Sequence, residues 1–315
     1  MADLSVLFIG LGSIGSRHLK NLVTVAASRG MKVSIDAFRH NIKSDLPAEI
    51  APFISRQFDS VDQLGKYDFI FICNPSQLHY ETLCAVKEKG RFFFVEKPVF
   101  IAPLDKENLK DFADEKKFYV ACPMRHMKIM SEIRKIVAEN KIYSVQAMCS
   151  SYLPEWRPNQ DYRKLYSAKK ESGGVKLDLI HEFDYLISLF GFPSKAALFE
   201  SKVSDLEIEC PDVVSYIGTY PDKNVELHLD YFGRTVQRKI DLFTKDDVIH
   251  CDLIKMQISY LHNNKTVSFY EERNDYYVRE MKYFFDFALS GKANINSIPF
   301  ANSVLKFVVK KGALN

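Results

Sequence analysis

The feature that most constrains this chain is Gly10-x-Gly12-x-x-Gly15, set in the run FIGLGSIGSRH at 8–18, directly after a short apolar segment and directly before a helical one. Strand, glycine turn and helix open a βαβ unit, and each glycine has a physical task in it. Gly10 makes the tight turn, Gly12 lets a pyrophosphate approach the backbone, and Gly15 allows close packing of helix on strand. N–H groups in the first turn of the helix, at Ser13 and Ile14, lack partners within it and suit phosphate oxygens. A glycine turn alone can be merely structural; its setting in a series of βαβ units points to a bound dinucleotide.

That series runs from Leu4 to about Val120. Strand-like runs LSVLFI, KVSIDAF, YDFIFIC, RFFFVEK and FYVACP alternate with helical patterns over 14–29, 80–89 and 104–117. Alternation of this kind predicts a parallel sheet, and the continuous apolar runs FIFIC and FFFVE fit central strands covered on both faces. After Pro123 the pattern changes to one helix over 128–139 and longer strands, several alternating polar with apolar residues, as in a sheet with one exposed face. The expected fold class is α/β: an N-terminal Rossmann doubly wound parallel sheet over 1–121, then an α+β domain over 122–315 with a large, open, mostly antiparallel sheet. An apolar helical pattern over 274–290 is expected on this second domain.

Composition excludes several roles. Against 43 Lys and Arg stand 40 Asp and Glu, a net charge of +3, too thin a field to argue for nucleic acid. Six cysteines without a Cys-x-x-Cys pair fit buried thiols in a reducing compartment, and no metal is expected. The segment MADLSVLFIG lacks a basic start and ends in a glycine turn, so it reads as a strand and not as a signal peptide. No apolar run approaches the ~20 residues that span a bilayer. The expectation is a soluble, cytoplasmic protein.

The choice of dinucleotide falls on two residues. Asp36, near the end of the second strand, would bind the ribose hydroxyls of NAD. Arg39, three residues on, would bind the 2′-phosphate of NADP. If the strand runs on through Phe38, Arg39 is the residue at the ribose, and NADP is favoured over NAD.

Four segments, GLGSIGSRHLKNL at 10–22, NPSQLHYETLCAVKEKG at 74–90, VEKPV at 95–99 and GGVKLDLIHEFDYLISLFG at 173–191, resemble in order and spacing the glucose-fructose oxidoreductase and inositol dehydrogenase family, Gfo/Idh/MocA. The resemblance covers nearly the full length. It implies that Asn74, Pro75 and His79 lie along the nicotinamide ribose and diphosphate, and that Glu96 and Lys97 stand beside the nicotinamide. It also implies a homodimer or homotetramer joined through the second sheet. The chain departs from the family where Asp178 precedes His181 by three residues instead of four, where Gly173-Gly174 replaces a glycine triple, and where Pro123 stands for Asn ahead of Arg125.

Chemistry fits these positions. The Lys97 ammonium at the carboxyl end of a sheet can hold a substrate hydroxyl and stabilise alkoxide charge. His181 can take and return the hydroxyl proton, and Asp178 or Asp184, on one face if the segment is helical, can orient it. The segment at 151–174 holds the single Trp, and Trp156, Arg157, Asp161, Tyr162 and Arg163, with Arg125, are the substrate candidates, since aromatic faces stack on sugars and Arg forks bind anions. This stretch resembles a branch of the family from bacterial surface-glycan and nonulosonic-acid pathways, which implies a sugar, nucleotide-sugar or sialic-acid-like substrate. The expected activity is hydride transfer between a nicotinamide cofactor and a sugar carbon. The alternatives are an NAD-dependent glycosidase of the same family and a dinucleotide sensor without catalysis.

Overall fold

The computed structural model describes residues 3–42, 45–170, 174–309 and 312–314. The chain divides into two compact units, Met1–Pro123 with Arg273–Leu305 and Met124–Glu272 with Lys306–Asn315.

In the first unit, strands β1 (Asp3–Ile9), β2 (Lys32–Phe38), β3 (Ile54–Phe58), β4 (Tyr67–Ile72), β5 (Gly90–Val95) and β6 (Phe118–Val120) form one sheet in the order β3-β2-β1-β4-β5-β6. Every pairing is parallel. The order reverses between β1 and β4, the switch point at which open α/β sheets bind ligands. The apolar runs form the central strands as expected, with Phe8 stacked on Phe71 at 4.5 Å. The edge strand β3, ISRQF, was not legible because it is short and polar, and its middle residues are exposed. Helices α1 (Ser13–Ser28), α2 (His79–Val86) and α3 (Lys106–Leu109) follow the alternation. The third is far shorter than the predicted 104–117: after Leu109 the chain tightens into a 3-10 turn over Lys110–Phe112 and leaves the helix.

The second unit begins with α4 (Lys128–Glu139) and β7 (Ile142–Tyr152), and continues through α5 (Val175–Asp178) and α6 (Ile180–Phe190). Strands β8 (Lys195–Ser201), β9 (Val213–Thr219), β10 (Asn224–Asp230), β11 (Phe232–Thr244), β12 (Val248–Asp252), β13 (Gln257–Tyr260), β14 (Lys265–Ser268) and β15 (Gly312–Leu314) complete a nine-stranded sheet with β7. Only β7 with β10 is parallel; the other ladders are antiparallel. β9 alternates buried and exposed residues along its length, as the period of the sequence requires. Between Phe232 and Gln237 the β11–β7 register shifts, and residues 234–237 stand exposed there.

One expected placement is corrected. The helix α7 (Arg273–Ser290) does not belong to the second sheet: it packs on α1 and lends Met281, Phe284, Phe285 and Phe287 to the first unit's core. Helical spacing identified its buried stripe but carries no information about which sheet the stripe covers. Among the described residues no helix is long and apolar enough to cross a membrane.

Candidate active site

In the first unit the glycine turn lies at the carboxyl ends of β1 and β4. Gly10 adopts φ +93°, and a Cβ there would fall 2.5 Å from the Asn74 nitrogen. At Gly15 a Cβ would fall 2.1 Å from the Gly10 carbonyl oxygen, so this glycine closes the helix onto the turn itself. Gly12 is different: apart from its own chain neighbours, no heavy atom of the described residues lies within 4 Å of its Cβ position. It caps α1 without a side-chain hydrogen bond, ahead of Ser13 and Ile14, which leaves first-turn N–H groups for an anion. A groove of about 770 Å³ starts at Leu11, Gly12 and Ser13 and continues along α1 past Arg17 and Lys20.

The segment after β4 completes this cradle. His79 is buried, with Nδ1 3.0 Å from the Val99 carbonyl and Nε2 3.0 Å from that of Asn74. Burial pushes its imidazole below the usual range, so a neutral ring with one N–H serves one carbonyl at a time. Pro75 precedes a short turn that leads into α2. The Asn74 amide donates to Thr82 at 2.8 Å, while its oxygen is buried and has no partner among the described residues. An orphaned buried acceptor beside an open glycine fits a ligand that brings hydroxyl donors.

Beyond β5, Glu96 accepts from the Lys97 N–H at 3.0 Å and lies 2.6 Å from His18 Nε2. Burial would raise its carboxyl, but the hydrogen bond and charge of His18 and the charge of Lys97 hold it below the usual range. Lys97 itself is partly exposed, and its ammonium has neither a hydrogen bond nor an ion pair among the described residues.

Asp36 lies within β2, not at its end, and its 2%-exposed carboxylate is bound by Arg56 at 2.7 Å and by the Tyr67 hydroxyl at 2.9 Å. Arg39 follows the strand directly and reaches Gln57 at 2.7 Å.

In the second unit the Asp178–His181–Asp184 stretch is not one helix. It breaks at Leu179 (φ −96°, ψ 25°), so Asp178 ends α5 and His181 lies in the first turn of α6. The expectation that Asp178 or Asp184 orients His181 is corrected accordingly. Asp178 accepts from Tyr231 at 2.6 Å and from Tyr166, and Asp184 forms a bidentate pair with Arg125 at 2.6 and 2.7 Å. The carboxylate at His181 is Glu182, whose Oε1 lies 3.0 Å from Nε2. Arg238 on β11, which sequence reasoning missed, donates to the same Nε2 at 3.0 Å.

Arg125 is thereby buried and occupied. Asp161, Tyr162 and Arg163 form a local knot: Arg163 pairs with Asp161 at 2.8 Å and Glu207 at 2.7 Å, and the Tyr162 hydroxyl accepts from the Glu207 N–H. Trp156, 37% exposed, meets Tyr231 edge-on and bonds Ser151. Arg157 is exposed and only reaches Gln160 at 3.5 Å. A further cation emerges from the shifted segment of β11, where Arg234 stacks on Tyr152 at 3.8 Å. Gly173 lies outside the described residues.

Comparison with known proteins agrees with this layout. Residues 4–122 match an oxidoreductase family described by its NAD-binding Rossmann fold, and residues 134–232 match the C-terminal alpha/beta domain of the same family. An inositol 2-dehydrogenase from Rhizobium meliloti (strain 1021) is 28% identical over 58% of this chain and 54% of its own length. The NADP(+)-dependent scyllo-inositol 2-dehydrogenase IolW from Bacillus subtilis (strain 168) is 25% identical over 59% of this chain and 51% of its own. The matches thus span about half the length of these curated relatives. Among solved structures, levoglucosan dehydrogenase in complex with NADH has a TM-score of 0.81 at 16% identity, covering 98% of this chain and 95% of that one. The UDP-N-acetylglucosamine 3-dehydrogenase GnnA from Acidithiobacillus ferrooxidans has a TM-score of 0.78 at 16% identity, with 99% and 97% covered. At such identities the likeness is one of fold.

Proposed function

This chain belongs to the Gfo/Idh/MocA oxidoreductase family, and from that premise we propose that it is an NAD(P)-dependent dehydrogenase or reductase acting on a hydroxyl or carbonyl carbon of a sugar derivative. The observation that carries the reading is the cradle at the switch point: an open Cβ position at Gly12 next to the uncapped start of α1, with the orphaned Asn74 oxygen across the turn. Gly10, Gly12, Ser13, Ile14 and Gly15 would hold the diphosphate, and Asn74, Pro75, His79 and Glu96 the ribose and nicotinamide side. A bound nicotinamide dinucleotide supplies the hydride acceptor or donor.

The chain's own residues handle the oxygen and its proton. Oxidation of CH–OH to C=O removes a hydride and a proton. Lys97, whose ammonium has no partner among the described residues, holds the oxygen and offsets negative charge as it develops. His181 takes the proton, and returns it in the reverse direction. Asp178 and Asp184 support this machinery by fixing Tyr166, Tyr231 and Arg125.

For the cofactor the reading favours NADP. Asp36 is already committed to Arg56 and Tyr67, whereas Arg39 directly follows the end of β2. For the substrate, Trp156 offers an aromatic surface, and Arg157 and Arg234 are exposed cations that suit a sugar carrying an anionic group. Arg125, Asp161, Tyr162 and Arg163 shape the surrounding segment through their internal pairs. In this reading the first unit binds the dinucleotide, and the second binds substrate and joins copies of the chain through its open sheet, in the cytoplasm. Net oxidation of NADPH or NADH by a panel of keto-sugars, uronates, inositols and nucleotide sugars tests the assignment. Turnover of a glycoside with no net change in cofactor would replace it.

A further inference from the structure

The groove beside the glycine turn has walls from two helices. Ser13 and Arg17 stand one turn apart on α1, and Arg273 and Tyr277 one turn apart on α7, so each pair shares a helix face. The Arg17 guanidinium lies over the Tyr277 ring, 4.7 Å from its centroid, and Arg273 lines the same groove as Gly12, Ser13 and Arg17. Asn21 and Asn274 exchange amide hydrogen bonds at 3.2 and 2.9 Å, which fixes the spacing of the two helices. Tyr277 also locates the cations within the site, because its ring is 6.1 Å from that of His18, the partner of Glu96. Burial and the charge of Glu96 push its hydroxyl up to about 12, and Arg273 and Arg17 both act against that rise.

Charge in this groove is unbalanced. Among the described residues that line it the one acid is Glu49, and Lys20 takes it at 3.2 Å. Neither Arg17 nor Arg273 has a hydrogen bond or an ion pair among the described residues. Arg273 is the first residue of α7, where the positive end of the helix dipole disfavours a cation. Arg17 lies near the start of α1, in a field of the same sign. Two cations set against two positive helix ends weaken the fold until an anion enters between them, and the groove of about 770 Å³ has room for one.

We propose that Arg17 and Arg273 hold the outer oxygens of the dinucleotide's diphosphate, while the N–H groups after Gly12 meet the inner ones. This rests on the reading of the glycine turn as a dinucleotide site. Each phosphate of the bridge carries a negative charge, and the planar guanidinium fork offers it two parallel donors. The cations then have separate tasks. Arg39 would meet the 2′-phosphate that distinguishes NADP from NAD, whereas Arg17 and Arg273 meet a group that both cofactors carry. Helix α7 gains a second task beside its apolar stripe: it carries Arg273 from the far end of the chain to the start of α1.

The test is a fluorescence titration of NADH and of NADPH into the full chain and its Arg17→Gln, Arg273→Gln and double variants. Each single variant is expected to lose about tenfold in affinity, the value of a charge-assisted hydrogen bond, and to lose it equally for both cofactors. The double variant is expected to lose at least as much as either single one. ADP, which has the diphosphate without the nicotinamide, is expected to show the same loss when it displaces NADH. Arg273→Lys keeps the charge and should retain most of the affinity. Without cofactor, Arg273→Gln is expected to unfold at the parent's temperature or above it, since the start of α7 is relieved of a cation; earlier unfolding would mark a structural role and overturn the proposal. Unchanged affinity in the double variant, with Gly12→Ala still weakening binding, would overturn it alone, as would a loss confined to NADPH. A parent protein that bound neither cofactor would overturn the dinucleotide reading with it.

Discussion

His18 on α1 and Glu96 at the end of β5 share a 2.6 Å contact although 78 residues separate them in sequence. His18 is fully buried, its ring lies 4.7 Å from that of Phe94, and the second Glu96 oxygen holds the Lys97 N–H. The contact therefore ties the helix that opens the dinucleotide site to the backbone that carries Lys97. His18→Ala would leave the Glu96 carboxylate buried without this partner, a loss of about 3–5 kcal/mol. Urea unfolding is the measurement. A cost under about 1 kcal/mol would show that the contact does not organise the sheet end.

Gly12 and Gly15 are expected to separate cofactor binding from folding. Gly12 has ordinary helix-entry backbone (φ −69°) and open space around its Cβ position. Gly12→Ala should cost the fold less than about 1 kcal/mol and weaken NADPH binding roughly tenfold or more. Gly15→Ala would drive a methyl into the Gly10 carbonyl and should cost about 1–3 kcal/mol of stability. Thermal unfolding and cofactor fluorescence report the two effects. A Gly12→Ala protein that binds NADPH normally would place the diphosphate elsewhere.

Arg39→Ala is expected to reduce affinity for NADPH by about 10- to 100-fold, the value of a charge-assisted hydrogen bond, with little effect on NADH. Equal losses for both cofactors in calorimetric titrations would remove Arg39 from the 2′-phosphate.

Glu182 also sets a pH dependence of stability. Its carboxyl is held at about 2 in the folded chain, against about 4.3 in an unfolded one. A folded value below the unfolded one means that this stabilisation is complete above about pH 4.3 and is lost as pH falls toward 2. Its size is up to about 3 kcal/mol. Stability curves of the parent protein and of Glu182→Gln should therefore converge as pH falls through that window. Parallel curves would show that Glu182 is not held ionised.

Much of the fold was legible because central parallel strands are written as unbroken apolar runs, and Gly-x-Gly-x-x-Gly leaves few alternatives for what joins β1 to α1. The edge strand β3 was hidden by its polarity, and α7 was placed on the wrong domain because spacing gives a stripe and not its target. For the candidate site the sequence offered positions but not their partnerships. Neighbours i and i+1 on an ideal helix do not face each other, so Glu182 drew no attention beside His181. The two meet because both reach toward Arg238 from the first turn of α6. The break at Leu179 then turned Asp178 to the tyrosines, and no periodicity in the sequence announces such a break. Arg238 reads simply as a charged residue within a strand.

The central claim, hydride transfer to or from a sugar carbon, is tested most directly with NADPH carrying deuterium at the reactive nicotinamide carbon. The product of any accepted keto-sugar is examined by mass spectrometry and NMR. The account predicts one deuterium on the new CH–OH carbon per NADPH consumed, with transfer reduced by about 10²- to 10⁴-fold in His181→Ala while NADPH binding persists. Substrate turnover with no deuterium in the product and no NADPH consumed would contradict it.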